Sequence, residues 1–563
     1  MPFQKPNFHT IFLLLVGLLS LIHVCSGQTK QSCYSPIYCQ GDLLHIIQTS
    51  KIFNDSKTFV DMALVGTVNE TLAEFNQLMM ENDNKPSREQ LQEFVGKNFV
   101  SIGELEDVFP KRLEGRAQNR EGNQRTPRAR LYKVLDSALA YTDEKIEHPF
   151  VIPGGRFREY YYWDCYWIIK GLLLSEMYET ARGMIQNLLS MVERFGFIPN
   201  GGRIYYLNRS QPPLLTFMVA DYMKWSNDFE FVRYNIKTIE KELQFWLKHR
   251  TVTLMKEGRE YVLCHYDSFS DTPRPESYLE DIETCATRKT DDEKVFIHCN
   301  SWVRMLHGPE GGAESGWDFT VRWFYDNQGK PAMDIQHIHT RRTIPADLNA
   351  YLYKAFKEVS KFYTILMQEE DAKYWQDLAD KWKENMREIH YNEEDGVWYD
   401  YDAKLGKHRK FFFASNLVPL WAEVYEESER LDRGKSAADY LTKNGIIYLK
   451  GGIPTSTIPS GQQWDYPNAW APFQNLIILG LQKTGHPEAL ALAKNFAHTW
   501  VNSNIKAFQE NKVMFEKYDA KNSGQFGGGG EYIIQAGFGW TNGCVMELID
   551  AYFRTHTRKW ISS

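Results

Sequence analysis

The sequence predicts a mainly helical fold in which pairs of helices stack into a closed ring or a solenoid. Three observations carry that expectation. Apolar residues recur at helical spacing in two long runs, Val232, Ile236, Ile239, Leu243 and Trp246, then Leu352, Phe356, Val359, Tyr363 and Leu366. Further helical runs span Tyr166 to Thr180, Met184 to Val192, Asp371 to Ile389, Ala437 to Thr442, Phe473 to Leu481, Ala489 to Trp500 and Cys544 to Phe553. Strand-like material is confined to short pieces beside turn signals, Gly202 to Leu207, Tyr261 to His265 and Ile335 to Thr340, which predict hairpins between helices. Each helix is apolar on one face and must cover that face against a neighbour, and periodicity leaves ring and solenoid both open.

The chain opens on a targeting pattern. Lys5 supplies a positive charge, Ile11 to Ile22 form an apolar run, and small residues follow at Ser26 and Gly27. That run is about half of the roughly 20 residues a membrane-crossing helix needs, so residues 1–27 are expected to be removed. The segment from Arg554 to Ser563 is polar and basic, without the apolar tail of a lipid-anchor signal. A secreted, extracellular and soluble protein without a stable membrane anchor is the expectation.

Residues 28–149 form a polar leader in which Glu114 to Arg130 holds almost nothing to bury, and residues 150–563 carry the helical pattern. Cys33 with Cys39, and Cys285 with Cys299, are candidate disulfides in an oxidising compartment. Glycan acceptor sequons occur at Asn54, Asn69 and Asn208. The composition, 43% hydrophobic with 14% aromatic, is that of a globular chain. Acidic side chains number 72 against 65 basic, for a net charge of -7, and no basic stripe is present to hold a phosphate backbone. Nucleic acid is therefore not an expected partner.

The loops hold the chemistry. Residues 153–167, PGGRFREYYYWDCYW, crowd charges among aromatics just before a helix. Aromatic faces cover the apolar faces of a sugar ring while carboxylates and guanidinium groups grip its hydroxyls, so the mixture suits a carbohydrate as well as it suits a structural aromatic core. The Trp-Asp pairing recurs at Trp317-Asp318 within ESGWDF and at Trp464-Asp465 within QWDYPNAWAP. Three such loops, far apart in the chain, argue for one shared pocket.

In these motifs the chain resembles the trehalases of glycoside hydrolase family 37. It matches both family signatures, at Pro153 to Tyr166 and at Gln463 to Pro472, as well as the glycine-rich GGGGEY at Gly527 to Tyr532. The resemblance runs from about Cys33 to the end. It implies an all-α (α/α)6 barrel with short β-hairpins in the loops at one mouth, and a small disaccharide, α,α-trehalose, as the substrate. It also implies a general acid at Asp318 and a general base at Glu516, with no cofactor and no metal. Sugar contacts, by the same resemblance, fall on Arg156, Trp163, Asp164, Asn200, Arg209, Ser210, Gln211, Arg274, Glu276, Gly316 and Glu531.

The chemistry asks an acid to protonate the bridging oxygen while a base draws a proton from water on the opposite face. An inverting pair stands roughly 6.5–9.5 Å apart to admit that water, and this wider spacing is expected here. Asp318 must keep its proton near neutral pH, so its pocket must raise its pKa by desolvation or negative neighbours against the pull of the arginines. The three arginines should then face sugar hydroxyls and other carboxylates more than Asp318.

Other signals are weaker. Gly527 to Gly530 lack the Lys-Ser or Lys-Thr of a phosphate loop and fit a lid over the sugar. Ala313-Glu314-Ser315-Gly316 lacks the first glycine of a nucleophile elbow, and His337-Ile338-His339 offers two strand-spaced ligands without a third. Glycan on Asn208 would block the Arg209 contact, so that sequon is expected to stay unmodified. The chain departs from the family between Glu106 and Glu147 and between Val295 and Gly312, and Thr320-Val321 stands in place of a small pair before Arg322-Trp323. Two other readings are an α-glucosidase of the same barrel type, separable by comparing trehalose with maltose, and an inactive sugar-binding homologue, separable by calorimetry.

Overall fold

The computed structural model describes Cys33, residues 35–101, 146–268, Ser270, residues 272–287, 307–530 and 532–553. The targeting segment, the polar stretch from Glu114 to Arg130, most of the two departing segments, Cys299, Glu531 and the basic C-terminal residues lie outside these. Within residues 35–101, the leader holds four helices: α1 (Asp42–Thr49), α2 (Lys57–Val60), α3 (Val68–Glu81) and α4 (Arg88–Asn98). Two of them begin with reciprocal capping boxes, Thr67 with Glu70 and Ser87 with Gln90, a signal written in the sequence that polar composition hides. Cys33 and Cys39 form a disulfide.

From Asp164 onward inner and outer helices alternate. Six inner helices are α5 (Asp164–Leu174), α7 (Leu215–Ser226), α11 (Ala346–Ile365), α13 (Val418–Ala422), α15 (Ala471–Thr484) and α17 (Gly539–Tyr552). Each packs against the next, and α17 returns to pack along α5, so the ring closes. Glycines allow that closure: a Cβ on Gly543 would lie 1.9 Å from the carbonyl oxygen of Trp167. Outside the ring run α6 (Tyr178–Phe195), α8 (Phe229–His249), α12 (Glu369–Ile389), α14 (Arg430–Lys443) and α16 (Pro487–Asn511), each carrying the chain back after an inner helix. The architecture is thus that of an (α/α)6 barrel, with six inner and five outer helices among the described residues, and ring prevails over solenoid because the first and last inner helices pack on each other. Helices α9 (Tyr278–Thr287) and α10 (His307–Glu314) lie between α8 and α11 in the chain.

Three sequence expectations need correction. Gly202 to Leu207 is not a strand, since Ile204–Tyr206 form a 3-10 turn that buries Tyr205 and Tyr206 against the leader helices. Ile335 to Thr340 is likewise two 3-10 turns, Ile335–His337 and Thr340–Arg342, the first started by the Asp334 side chain accepting from the Gln336 N–H. The helical run from Tyr166 to Thr180 breaks between α5 and α6, where Glu176 adopts φ 60°, because the chain must turn from the inner to the outer layer. The hairpin expected at Tyr261 to His265 is present, Thr251–Lys256 pairing antiparallel with Arg259–Cys264. Among the described residues no helix is long and apolar enough to cross a membrane.

The ring places one carboxyl group deep in its wall. Glu242 of α8 is fully buried and receives the Tyr162 hydroxyl, which in turn accepts the N–H of Leu215 at 2.9 Å. Burial pushes Glu242 up to about 8 from 4.5, against the pull of that hydroxyl. The folded protein therefore binds a proton that the unfolded chain releases, and this contribution to stability is complete below pH 4.5 and lost as pH rises through about 8. Calorimetric melting in steps from about pH 6 to about pH 9 should show Tm falling with pH in the native chain and falling less in Glu242→Gln.

Candidate active site

Every loop that carries a predicted site residue, apart from the α9 loop, leads into the N-terminus of an inner helix. Residues 153–163 enter α5, 198–214 enter α7, 316–345 enter α11, 453–470 enter α15 and 513–538 enter α17. Because the inner helices are parallel, these loops meet at one mouth, where the helix N-termini also present their partial positive charge.

The three Trp-Asp loops converge. The Trp317 and Trp464 rings stack at 5.4 Å between centroids, Trp464 stacks on Trp470 at 3.9 Å, and Trp163 lies 5.8 Å from Trp464. Trp540 of α17 meets Trp163 edge-on at 5.5 Å. Gly316 has to be a glycine: its φ is +76°, and a Cβ there would lie 2.7 Å from the Trp163 indole. The result is an aromatic floor from which the polar groups rise.

Three carboxyl groups share that floor. Asp164 sits in the first turn of α5, Asp318 follows Trp317, and Glu516 precedes the short strand Lys517–Asp519, which pairs with Asn468–Trp470. Burial pushes Asp318 up to about 6, while Arg274 and Arg209 pull it down less strongly. Glu516 is also raised, chiefly by burial, with Asp318 adding to the effect and Lys517 and the Tyr532 hydroxyl opposing it. Asp164 is held well above the ordinary carboxylate range by burial, then by Glu516 and Asp318. Each pair of these groups interacts electrostatically, which puts the three close together. The Tyr532 hydroxyl donates to Glu516 Oε1 at 2.8 Å, and Glu516 Oε2 is buried with no hydrogen-bond partner in the protein.

The arginines have partners other than Asp318. Arg209 reaches Glu276 with one nitrogen and Glu310 with the other, the latter at 2.6 Å, and its guanidinium lies over the Tyr206 ring. Arg274 forms a fork with Asp281, Nε to Oδ2 at 3.0 Å and Nη2 to Oδ1 at 2.7 Å, and covers the Phe319 ring. Arg156 lies over the Tyr532 ring at 4.9 Å and stands 3.9 Å from Asp55 of the leader.

Other predicted contacts spend their polar atoms on the protein. The Ser210 hydroxyl donates to Ile198 O at 2.7 Å, Asn200 Nδ2 donates to Ala313 O at 3.3 Å, and Gln211 Oε1 accepts the Trp163 N–H at 3.1 Å. These three hold the loop that carries Arg209. Asn208 itself is half-buried between Leu207 and the buried Arg209. Glu531 lies outside the described residues. The neighbouring glycines are tied down: Asn468 exchanges two hydrogen bonds with the Gly528 backbone, and Lys517 Nζ donates to Gly529 O at 3.1 Å.

Several residues of the site were not singled out from sequence. Tyr532 and Gln463 lie inside quoted motifs and Lys517 directly follows Glu516, but nothing in their spacing tells that Tyr532 would bond Glu516 or that Gln463 would join Lys517 to the Asp318 carbonyl. Glu310 and Glu314, four apart on α10, share a helix face, and Glu314 takes Arg250 at 2.6 Å and the Ser210 N–H at 3.1 Å. The leader contributes Lys57, buried and bonded to Glu159 at 2.8 Å, Asp61 at 3.0 Å and the Tyr205 hydroxyl at 3.0 Å. Among the described residues no group of three His, Cys, Asp or Glu side chains is placed to hold a metal.

The family model for trehalase matches residues 51–553. A trehalase of Tenebrio molitor is 44% identical over 560 residues, covering 97% of this chain and 100% of the relative. A human trehalase is 40% identical over 557 residues, covering 96% of this chain and 93% of the relative. Among solved structures, the neutral trehalase of Saccharomyces cerevisiae superposes with a TM-score of 0.58 at 25% identity, over 73% of this chain and 74% of that one.

Removing Arg209 leaves two buried carboxyl groups, Glu276 and Glu310, facing each other without their cation. Arg209→Met should lower the unfolding free energy by about 3–5 kcal/mol, measured in guanidinium chloride. Arg209→Lys should recover part of that loss, because an ammonium cannot fork to both partners.

Proposed function

The chain belongs to the trehalase family and hydrolyses trehalose, and we propose that it does so by inversion, with Asp318 as general acid and Glu516 as general base. The observation that carries the assignment is the unequal surroundings of two carboxyl groups that sense each other across one aromatic-floored pocket. Asp318, near 6, can hold a proton for the bridging oxygen. Glu516 has one oxygen occupied by Tyr532 and the other, Oε2, without a protein partner, so Oε2 is the atom that receives the proton of the attacking water.

The step balances simply. Asp318 gives its proton to the glycosidic oxygen as the C–O bond breaks, Glu516 takes one from water, and the new C–O bond forms on the opposite face. The attacked ring leaves as β-glucose and the other as α-glucose, in equal amounts at first. Arg274 and Arg209, neutralised by Asp281 and by the Glu276–Glu310 pair, grip hydroxyls without stripping the proton from Asp318. Asp164, held well above the ordinary carboxylate range, offers a hydroxyl donor whenever it carries its proton.

The same reading extends to where the protein works. Lys5 with the apolar run from Ile11 to Ile22, together with the Cys33–Cys39 disulfide, supports export, and the exposed Asn54 and Asn69 are the positions for glycan. N-terminal sequencing of exported protein should begin near Gln28, and a start at Met1 would contradict this.

The acid must be protonated and the base ionised, so kcat should follow a bell in pH. Its alkaline limb falls as pH rises through about 6, where Asp318 loses its proton. Asp318→Asn and Glu516→Gln should each lower kcat by about 10²–10⁴-fold with little change in KM. Proton NMR of the first turnovers should show both glucose anomers at parity, and an excess of the α form would point instead to retention.

A further inference from the structure

The second signature motif lies along the acid-bearing loop residue by residue. Gln463 Nε2 donates to the carbonyl of Asp318, and Gln463 Oε1 accepts from Lys517 Nζ at 3.0 Å, beside the proposed base. The Trp464 N–H donates to Phe319 O at 3.2 Å. Asp465 then takes the next two residues, accepting the Thr320 hydroxyl on Oδ1 at 2.8 Å and the Val321 N–H on Oδ2 at 2.8 Å. Its remaining acceptor capacity is used by Ser456, 2.8 Å from Oδ1, and Ser460, 2.5 Å from Oδ2. Asp465 is 0% exposed and all four of these donors are neutral. A buried carboxylate without a cation is an expensive choice for mere packing. What it accomplishes is geometric: two oxygens, each with two donors, fix the backbone one and two residues beyond Phe319 relative to the loop that enters α15.

We propose that Asp465 is a positioning residue for Asp318, and that Thr320 is the side chain through which this chain makes the contact. The inference rests on Asp318 being the acid. Asp465 is fully buried with both carboxyl oxygens taken by protein donors, so its effect passes through the loop it clamps. Thr320 supplies the hydroxyl that the clamp uses, and the same oxygen accepts the Arg322 N–H at 3.0 Å. A displacement of about 1 Å in a reacting group costs on the order of 100-fold in rate, and the clamp guards against that scale of drift.

The test uses the full chain and two substrates: trehalose, whose leaving sugar needs a proton, and α-glucosyl fluoride, whose leaving fluoride does not. Asp465→Asn keeps the shape and loses one acceptor oxygen. It should lower kcat on trehalose about 10- to 100-fold, with KM within about 3-fold, and lower the rate on the fluoride by less than about 3-fold. Thr320→Val should show the same selectivity at smaller size, and Thr320→Ser should recover most of what Thr320→Val loses. Equal losses on both substrates, or a loss matching only the folded fraction, would overturn the proposal. If Asp465→Asn does not fold, the Thr320 pair decides it alone by the same ratio. Asp318→Asn is the reference: if it too slows both substrates equally, the assignment of the acid fails, and the clamp fails with it.

Discussion

Desolvation of neighbouring carboxyl groups is the constraint around which the mouth of this barrel is organised. Asp164, Asp318 and Glu516 come within one another's field on a floor of tryptophans, and for each the largest influence is loss of water. Loss of water favours the protonated form, and all three groups are raised above their ordinary carboxylate values. A raised pKa for the acid follows from that desolvation, provided the surrounding cations are kept from cancelling it.

The cations are kept from it by pairing. Arg209 is held between two glutamates and Arg274 in a fork with Asp281, so each enters the pocket nearly neutralised. A deeper cluster repeats the arrangement, with Arg322 forked between Asp347 and Asp400 behind the acid loop. Lys57 does the same for the first signature loop through Glu159, and it comes from a leader whose own apolar cluster includes Tyr161, Tyr206 and Tyr278. The leader helices thereby brace three of the loops that build the mouth.

Much of the helical layer was legible from spacing. The four-three stepping through Val232 and Leu352 marks α8 and α11, because one-faced helices must display their period. The short elements were less legible. Ile204 to Tyr206 has strand-forming residues, yet the buried Tyr205 and Tyr206 are fixed by Lys57 and Tyr161, partners distant in sequence. The leader was opaque for the opposite reason: its helices are polar overall, and their capping boxes at Thr67 and Ser87 are the local sign of them.

Sequence alone marked three Trp-Asp loops as belonging together, and the contacts of Trp163 and Trp317 with Trp464 bring them to one place. It also determined the alternation of helices, because periodicity is a local property. Tertiary structure decided how those residues divide their work: that Trp163 is floor, that Ser210 holds its own loop, that Asp465 grips the strand of chain beyond Asp318, and that Glu516 keeps one oxygen unbonded. Such roles depend on which atoms lose water and which partners arrive from other loops, 145 residues away for Asp465 and Thr320, and no local pattern encodes either.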